Sequence, residues 1–248
     1  FDNLIDLCFK IFGPYLKHLP FFRLTGISER VIIYDVEKEW EQSTSFTLLA
    51  HIARYKWARG YVTNRICLDG GCGTGYGTGY LATHGAEYVI GLDISNDALR
   101  YAKQRFKTDN TNFIRMSATK LGFKDNSLDI VMLFHVLEHV TNPMMLISES
   151  LRVLKPNGFL LLGTPNRTVS RYQNPTHIKE FNSIELKRLL GAYFKDFKLL
   201  GQDVIVNGAR LEENWYKHSQ SRLSRKNFMI VDNDYEHSFG LLAMCRKA

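Results

Sequence analysis

A short glycine-rich segment constrains the fold of this chain more than any other part of its sequence. Residues 68–77 read LDGGCGTGYG and directly follow an apolar run that begins at Ile66. Glycines at alternate positions after a strand permit a tight turn and let a ligand approach the backbone, while the following helix offers unpaired N–H groups. The segment therefore predicts a strand, a turn and a helix that together form a binding site.

Beyond residue 65, short apolar runs alternate with stretches of helical periodicity. Such alternation is typical of βαβ units that build a parallel sheet with helices on both faces. Strands are predicted at residues 66–68, 88–92, 112–114, 130–134 and 159–162, and two further strands at 197–206 and 238–246. Helices are predicted at residues 45–59, 76–84, 96–107, 143–154 and 183–193.

An acidic residue at the end of the second predicted strand indicates a nucleotide-like ligand. Asp93 follows Gly75 by 18 residues, and a carboxylate at that place can accept two hydrogen bonds from a ribose diol. The loop lacks the G-x-G-x-x-G spacing of a dinucleotide site, because the one formal match, at residues 77–82, lies too far into the helix. We expect the ligand at the carboxyl ends of the strands, where doubly wound sheets bind nucleotides.

The loop does contain the pattern Asp69-x-Gly71-x-Gly73-x-Gly75. In this form it resembles the first motif of the class I S-adenosylmethionine-dependent methyltransferases. Residues 91–95, 128–139 and 151–158 resemble further motifs of that family, with Asn157 in place of a glycine, which is tolerable because asparagine accepts a left-handed backbone. Residues 51–55, 164–167 and 174–181 are similar to a branch that includes ubiquinone-biosynthesis O-methyltransferases and methyltransferases encoded beside glycan-assembly genes. The resemblance covers about residues 45–200.

The resemblance implies an α/β fold, specifically a Rossmann-like three-layer αβα sandwich. Its mostly parallel seven-stranded sheet is expected to have an antiparallel last strand. We expect an N-terminal helical cap at residues 1–60 and a methyltransferase domain at residues 61–248. An apolar share of 45% and a charged share of 23% suit such a globular chain and exclude disorder.

The cofactor that the resemblance implies is S-adenosyl-L-methionine. Asp93 is expected on its ribose and Tyr76 behind its methionine end, while Arg54 and Tyr55 either close over it or serve as a surface arginine and a packing aromatic. Ser117 stands where the family usually has an acid for the adenine amino group, and its hydroxyl can accept a hydrogen bond without charge. The full set of expected cofactor contacts is Asp69, Gly71, Gly73, Gly75, Tyr76, Asp93, Ile94, Ser117, Ala118, Phe134, Arg54 and Tyr55.

Methyl transfer is an in-line displacement, so alignment of the reacting groups supplies much of the rate. An amine acceptor only has to arrive unprotonated, whereas a hydroxyl acceptor benefits from a general base, most often histidine. The catalytic candidates are His135 after the fourth strand, His139 one helical turn later, and His177 in the loop after the fifth strand. The alternative for His139 is a histidine that bonds to the backbone, and for His177 a loop anchor.

We expect an enzyme that O-methylates a small-molecule, glycan or lipid-linked acceptor. The formal net charge of +7 leaves RNA or protein N-methylation as an alternative, although residues 135–138 replace the Asn/Asp-Pro-Pro-Tyr/Phe box. A non-catalytic cofactor-binding subunit of the same fold is a further alternative. The basic stretch at residues 210–226 is expected to be a solvated loop, with an acidic substrate or RNA as its alternative ligand.

The cysteines and the N-terminal segment bear on metal, compartment and partners. Cys67 and Cys72 lack a zinc spacing, so we expect no metal site and a cytoplasmic protein with reduced thiols. The sequence contains no run of about 20 apolar residues that could span a bilayer. The apolar residues 1–24 are expected to cap the active site, to form a homodimer contact or to touch a membrane surface.

Overall fold

The computed structural model describes residue 38 and residues 46–170, 174–210, 223–232 and 235–248. These residues belong to one compact unit, Ile32–Ala248. The expectations for residues 1–24, for most of the cap at residues 1–60 and for most of the stretch at 210–226 lie outside the described residues. The domain boundary at residue 60 stays a prediction. None of the helices that the structure describes has the length and apolar character needed to cross a membrane.

The described strands form one mixed sheet. They are β1 (Ile66–Gly70), β2 (Tyr88–Asp93), β3 (Thr111–Arg115), β4 (Leu128–Phe134), β5 (Leu154–Pro165), β6 (Asp196–Val206), β7 (Ala209–Arg210), β8 (Phe228–Val231) and β9 (Gly240–Arg246). Their order is β3-β2-β1-β4-β5-β9-β6-β7, and β8 also pairs with β6. Strands β1 to β5 are parallel, and β9 is antiparallel to both of its neighbours. The predicted α/β fold with an antiparallel last strand is confirmed.

The sheet contains two short strands, β7 and β8, in addition to the seven that were predicted. Strand β6 runs to Val206, although its pairing with β9 ends at Gln202. Residues 201–204 of β6 pair with β8, and the last two residues of β6 pair with β7. The added strands therefore satisfy backbone groups that β9 does not reach, and a two- or four-residue strand has too little periodicity to be found in the sequence.

Five α-helices flank the sheet in the described part of the chain. They are α1 (Phe46–Ala58), α2 (Tyr76–Thr83), α3 (Asn96–Phe106), α4 (Pro143–Val153) and α5 (Ser183–Gly191). Three of them begin at a side-chain cap, since Ser95, Asn142 and Asn182 each accept a hydrogen bond from a backbone N–H of the first turn. Asn157, at the turn between α4 and the second half of β5, has the expected left-handed backbone, with φ of +64°.

Helix α1 lies against the carboxyl ends of the central strands. Its apolar residues, Leu49, Ala50 and Ala53, form a cluster with Val204, Leu223 and Phe228. Two residues after Ala53, Tyr55 contacts Asp69 near the end of β1 and Phe134 at the end of β4. The described part of the predicted N-terminal cap is therefore a helix over the edge of the sheet where the glycine loop begins.

Candidate active site

The glycine loop after β1 adopts the backbone that its sequence predicts. Gly71, Gly73 and Gly75 have φ of +73°, +54° and +83°, a region that residues with a side chain rarely occupy. An added Cβ at Gly71 would also lie 2.5 Å from Cγ2 of Val136. The backbone nitrogen of Gly71 donates a 2.8 Å hydrogen bond to the carbonyl of Leu92 in β2. The loop is thus held against β2, and its backbone follows a turn that only glycines adopt readily.

Asp93, the last residue of β2, links the glycine loop to the start of α3. Its Oδ2 accepts a 3.0 Å hydrogen bond from the backbone nitrogen of Gly73, and its Oδ1 accepts a 2.8 Å bond from the backbone nitrogen of Ser95. Each carboxylate oxygen can accept a second bond. Asp93 is therefore oriented by two neighbouring backbone groups, and its contact with a ribose diol stays a prediction.

Asp69 is buried, and its carboxylate accepts hydrogen bonds from two side chains. Its Oδ1 accepts a 3.0 Å hydrogen bond from the Tyr55 hydroxyl, and its Oδ2 accepts a 2.7 Å bond from the Thr78 hydroxyl. Burial raises the pKa of Asp69 to about 6, although both hydrogen bonds act in the opposite direction. Asp69 thus joins α1, β1 and α2, and direct contact between Asp69 and the cofactor stays a prediction.

The residues expected near adenine lie at the ends of β2 and β3. The side chain of Ile94 is 68% exposed directly after Asp93, so an apolar surface is available there. Ser117 is exposed, and its hydroxyl oxygen accepts a 3.2 Å hydrogen bond from the backbone nitrogen of Thr119. Ala118 is buried beside it. The arrangement offers an apolar contact and a weak polar one, and the role of each residue stays a prediction.

Three aromatic residues predicted for the site pack together between α1, α2 and β4. The ring of Tyr55 contacts that of Tyr76 edge to face at 5.4 Å between centroids and that of Phe134 at 5.3 Å. Gly77 makes this packing possible, because a Cβ at that position would fall inside the ring of Tyr55. The structure therefore brings Tyr55, Tyr76 and Phe134 together, next to Asp69.

His135 occupies a turn at the carboxyl end of β4, with an unusual left-handed φ of +57°. Its Nδ1 lies 2.7 Å from Oε1 of Glu138, a residue with no exposed surface. The other carboxylate oxygen of Glu138 accepts a 3.0 Å hydrogen bond from the Thr164 hydroxyl. Burial and the charge of Arg54 lower the pKa of His135, while Glu138 acts to raise it. His135 is therefore held by a buried carboxylate and is neutral at neutral pH.

His139 and His177 lie close to Glu138 and to each other. Their rings meet edge to face at 4.8 Å. Nδ1 of His139 is 3.2 Å from the carbonyl oxygen of Thr176, and Nδ1 of His177 is 2.6 Å from Oε1 of Glu180. The potential ligand atoms of Glu138, His139 and His177 are all within 4.8 Å of one another, so this group could hold a metal ion. The expectation of no metal site was based on the cysteine spacing, which carries no information about this group of histidines and glutamate.

A cavity of about 120 Å³ lies between α1 and the carboxyl ends of β4 and β5. It is lined by Phe46, Thr47, Ala50, His51, Arg54, His135, Pro165, Phe239 and Gly240. The ring of His51 stacks on that of His135 at 5.4 Å and 18°, and its Nδ1 is 2.9 Å from the Tyr76 hydroxyl. Burial and the charge of Arg54 lower the pKa of His51 well below its ordinary value. The cavity therefore places two neutral imidazoles beside a guanidinium.

A larger hollow, of about 460 Å³, lies at the opposite edge of the sheet. It is lined by residues from the end of α4, from the segment before β6 and from the C-terminal end of β9, among them Arg152, Phe194 and Lys247. The hollow contains no predicted site residue. Its size does not make it the active site, since ligands of such sheets bind at the carboxyl ends of the strands.

Glu138 and Gln202 contact residues that line the cavity and were not among the predicted site residues. Glu138 is flanked by His135 and His139, and this spacing was the available indication that one carboxylate faces both rings. Gln202 in β6 bonds to Arg54 across 148 residues, a contact that no local pattern encodes. In the sequence, His51 belongs to the motif at residues 51–55, which predicts no individual role for it.

Comparison with known proteins agrees with this geometry. The sequence model of a family described as a methyltransferase domain matches residues 68–162. A probable S-adenosylmethionine-dependent methyltransferase of Mycobacterium tuberculosis is 32% identical over 205 residues, which cover 80% of this chain and 70% of that protein. A ubiquinone biosynthesis O-methyltransferase of Paraburkholderia phymatum is 31% identical over 140 residues, which cover 54% of this chain and 60% of its relative.

Solved structures show the same fold at low sequence identity. A crystal structure of an S-adenosylmethionine-dependent methyltransferase from Thermotoga maritima has a TM-score of 0.62 and 18% identity, covering 82% of this chain and 93% of the other. One from Archaeoglobus fulgidus has a TM-score of 0.60 and 22% identity, covering 82% and 95%. The fold and site define a Rossmann-like transferase. The chain belongs to the S-adenosylmethionine-dependent methyltransferases, so the predicted enzyme class and the cofactor S-adenosyl-L-methionine are confirmed.

Proposed function

We propose that this methyltransferase transfers the methyl group to a hydroxyl oxygen of a small-molecule, glycan or lipid-linked acceptor, and that His135 is the general base. The observation that carries the proposal is the position of His135, which lines the cavity next to α1 while its Nδ1 faces the buried Glu138. A hydroxyl acceptor must lose a proton during transfer, and a positioned neutral histidine is the usual recipient.

The residues of the glycine loop fit S-adenosylmethionine. Gly71, Gly73 and Gly75 give the loop its left-handed turns, the Asp93 carboxylate lies beside the loop at the end of β2, and the exposed Ile94 offers an apolar surface for adenine. The bound cofactor supplies an electrophilic methyl group. The contribution of the chain is to hold that group and the acceptor in line and to exclude water, which α1 supports by covering the carboxyl edge of the sheet.

The pairing of His135 with Glu138 determines which ring nitrogen can take the proton of the acceptor hydroxyl. Because Nδ1 faces the carboxylate, Nε2 is the nitrogen left to accept the acceptor's proton. Glu138 then stabilises the imidazolium that forms. The lowered pKa of His135 keeps the ring unprotonated at neutral pH, so the base is ready before the acceptor binds.

The loop that carries His177 is bonded to the backbone of Glu138, the partner of His135. The backbone nitrogens of Ile178 and Lys179 both donate hydrogen bonds to the carbonyl of Glu138, at 2.8 Å and 3.2 Å. His177 is thereby held at a fixed distance from the catalytic carboxylate. We propose that His177 contacts the acceptor and that His139 supports the loop through its bond to Thr176.

The test is methyl transfer from labelled S-adenosylmethionine to matched pairs of alcohol and amine acceptors. We expect methylation of the alcohol and the phenol members, and a rate loss of roughly 10² to 10⁴ in His135→Gln. His84→Gln is the control, because His84 caps the far end of α2 and bonds to the Tyr80 carbonyl. Methylation confined to amines, or a His135→Gln enzyme as active as the control, would refute the proposal.

A further inference from the structure

His51 on α1 lies between two other residues of the site. Its Nδ1 is 2.9 Å from the hydroxyl oxygen of Tyr76, the residue expected behind the methionine end of the cofactor. Its ring stacks on that of His135, with 5.4 Å between the centroids and 18° between the planes. Both histidines line the cavity next to α1. The reacting oxygen of an acceptor must also lie between the cofactor and the general base, so His51 is well placed to contact it.

The contact with Tyr76 determines which nitrogen of His51 carries the proton. Tyr76 is buried, and burial raises the pKa of its hydroxyl, which therefore keeps its proton. Among the described residues, the acceptor within hydrogen-bond distance of this hydroxyl is Nδ1 of His51. A neutral imidazole that accepts at Nδ1 carries its own proton on Nε2. Since Nε2 has no further partner among the described residues, the cavity receives a hydrogen-bond donor from His51.

His135 has the opposite arrangement of proton and lone pair. Its Nδ1 faces a carboxylate oxygen of Glu138 at 2.7 Å, and a carboxylate only accepts, so the proton of the neutral ring is on Nδ1. Nε2 of His135 is therefore an acceptor, whereas Nε2 of His51 is a donor. Two nitrogens that bond one oxygen at about 2.8 Å each are at most about 5.6 Å apart. The stacked rings, with centroids 5.4 Å apart, are close enough for that.

We propose that His51 is an acceptor-binding residue whose Nε2 donates a hydrogen bond to the oxygen being methylated, and that this bond selects hydroxyl acceptors over amines. The assignment rests on the proposed function, in which His135 is the base and the cavity holds the acceptor. A hydroxyl oxygen has one proton and two lone pairs. The proton passes to Nε2 of His135, and one lone pair accepts the bond from His51. The other lone pair forms the bond to the methyl carbon, while the carbon–sulfur bond breaks and leaves its electron pair on sulfur.

An amine cannot use the two imidazoles in this way. An unprotonated amine has a single lone pair, and that pair must attack the methyl carbon. When the lone pair accepts the hydrogen bond of His51, it no longer points at the methyl group, so transfer to nitrogen is slowed. The donor on His51 therefore orients an oxygen acceptor in line and acts against a nitrogen acceptor.

Calorimetric titration of the complex with S-adenosylhomocysteine tests the donor, with anisole and its oxygen-free isostere ethylbenzene as probes. The ether oxygen of anisole has no proton, so it can accept from His51 but cannot donate to His135. We expect anisole to bind about fivefold more tightly, the gain that one neutral hydrogen bond supplies. His51→Phe should abolish the difference, and His51→Gln should retain part of it because the amide keeps an N–H.

His84→Phe is the matched control for His51→Phe. His84 bonds to the Tyr80 carbonyl at the far end of α2, so the preference for anisole should persist in this variant. Equal affinity of the two probes in the wild type, including no binding of either, would overturn the proposal. A preference that survives in His51→Phe would overturn it as well, since another group would then supply the donor.

Nitrogen NMR of protein with isotope-labelled histidine tests the proton positions without any acceptor. We expect the proton of His51 on Nε2 and that of His135 on Nδ1, with the signals assigned from His51→Gln and His135→Gln. A proton on Nδ1 of His51 would overturn the proposal, because Nε2 could not then donate.

Transfer to phenol and to aniline separates this inference from the proposed function. We expect the wild type to methylate phenol roughly tenfold faster than aniline or more, and His51→Phe to lose this preference through slower reaction with phenol. Equal wild-type rates, or a preference that persists in His51→Phe, would overturn the role of His51 while leaving O-methyl transfer in place. Methylation of aniline alone would refute O-methyl transfer itself, whatever the ether probe and the spectra show.

Discussion

The hydroxyl of Tyr55 donates a 3.0 Å hydrogen bond to Oδ1 of Asp69. Tyr55 belongs to α1, which covers the site, and Asp69 belongs to the strand that leads into the glycine loop. The second carboxylate oxygen is bonded to Thr78 in the helix after the loop. One buried carboxylate thus connects the covering helix with both sides of the cofactor loop, so a disturbance of α1 is expected to reach the loop.

Asp69→Asn is expected to change how stability depends on pH. The pKa of Asp69 rises from 3.8 to about 6 on folding, so the folded chain binds this proton more tightly than the unfolded chain. The cost of the buried charge is absent below pH about 4 and complete above pH about 6. Because one pKa unit corresponds to about 1.4 kcal/mol, the wild type should lose roughly 2–3 kcal/mol relative to Asp69→Asn across this range. Urea unfolding of both proteins at the two ends of the range measures the difference, and a constant difference would contradict the expectation.

Gly77→Ala is expected to disrupt the packing of Tyr55. The added Cβ would fall inside the Tyr55 ring, so the ring must move and its bond to Asp69 is lost. We expect a loss of about 1–3 kcal/mol in unfolding free energy and weaker binding of S-adenosylmethionine, measured by denaturation and calorimetry. Gly60→Ala is the matched control, because nothing lies within 4 Å of its Cβ position. If both variants behave alike, the close approach of Tyr55 to α2 is required neither for stability nor for cofactor binding.

The fold could be predicted where local pattern determines it. The glycine loop, Asp93 and the flanking strands lie within about 30 residues, so their spacing alone indicates a strand, a turn and a binding helix. The left-handed Asn157 was likewise predictable, because few other residues tolerate that backbone. The short strand β8 was not, since its four residues become a strand only by pairing with β6.

The acceptor cavity depends on contacts that local sequence does not contain. Arg54 meets Gln202 over a separation of 148 residues, and Thr164 meets Glu138 over 26. Amino-acid type indicated that His135 was a candidate base, but the burial of Glu138 behind it follows from the packing of β4 against β5. The sequence could therefore identify the cofactor side of the site, while the acceptor side required the tertiary structure.

Asp93→Ala is expected to weaken S-adenosylmethionine binding by about 100-fold, or nearly 3 kcal/mol. The substitution removes a charged acceptor from the ribose and also releases the backbone nitrogens of Gly73 and Ser95. Asp97→Asn provides the control, because Asp97 is exposed in the first turn of α3 and pairs with Arg100. Unchanged calorimetric affinity in Asp93→Ala would show that the ribose binds elsewhere.

His177→Ala is expected to lower the transfer rate at least tenfold while S-adenosylmethionine binds with unchanged affinity. The ring is held by Glu180 and lies near Glu138 and His139, so the proposed role of His177 is in acceptor binding. A large loss of cofactor affinity would instead assign His177 to the cofactor site. Dialysis against a chelator completes the measurement, because the wild type should keep its activity if Glu138, His139 and His177 act without a metal ion.

Glu138→Gln is expected to shift the acidic limb of the pH–rate profile to lower pH. The Glu138 carboxylate stabilises the protonated form of His135 at 2.7 Å, whereas burial and Arg54 already lower the pKa of that ring below 6.5. Removing the negative charge lowers this pKa further, so His135 stays unprotonated to a lower pH. The plateau rate should fall about tenfold, because the ring loses its orienting partner and becomes a weaker base.

Glu180→Gln is the control for Glu138→Gln, since Glu180 faces His177 in the same way at 2.6 Å. If His135 is the base, the profile of kcat/KM against pH should shift in Glu138→Gln and stay in place in Glu180→Gln. A profile that shifts in Glu180→Gln alone would indicate that His177, and not His135, is the general base. An acidic limb that moves in neither variant would mean that neither imidazole accepts the proton, as expected for an acceptor that is already ionised when it binds.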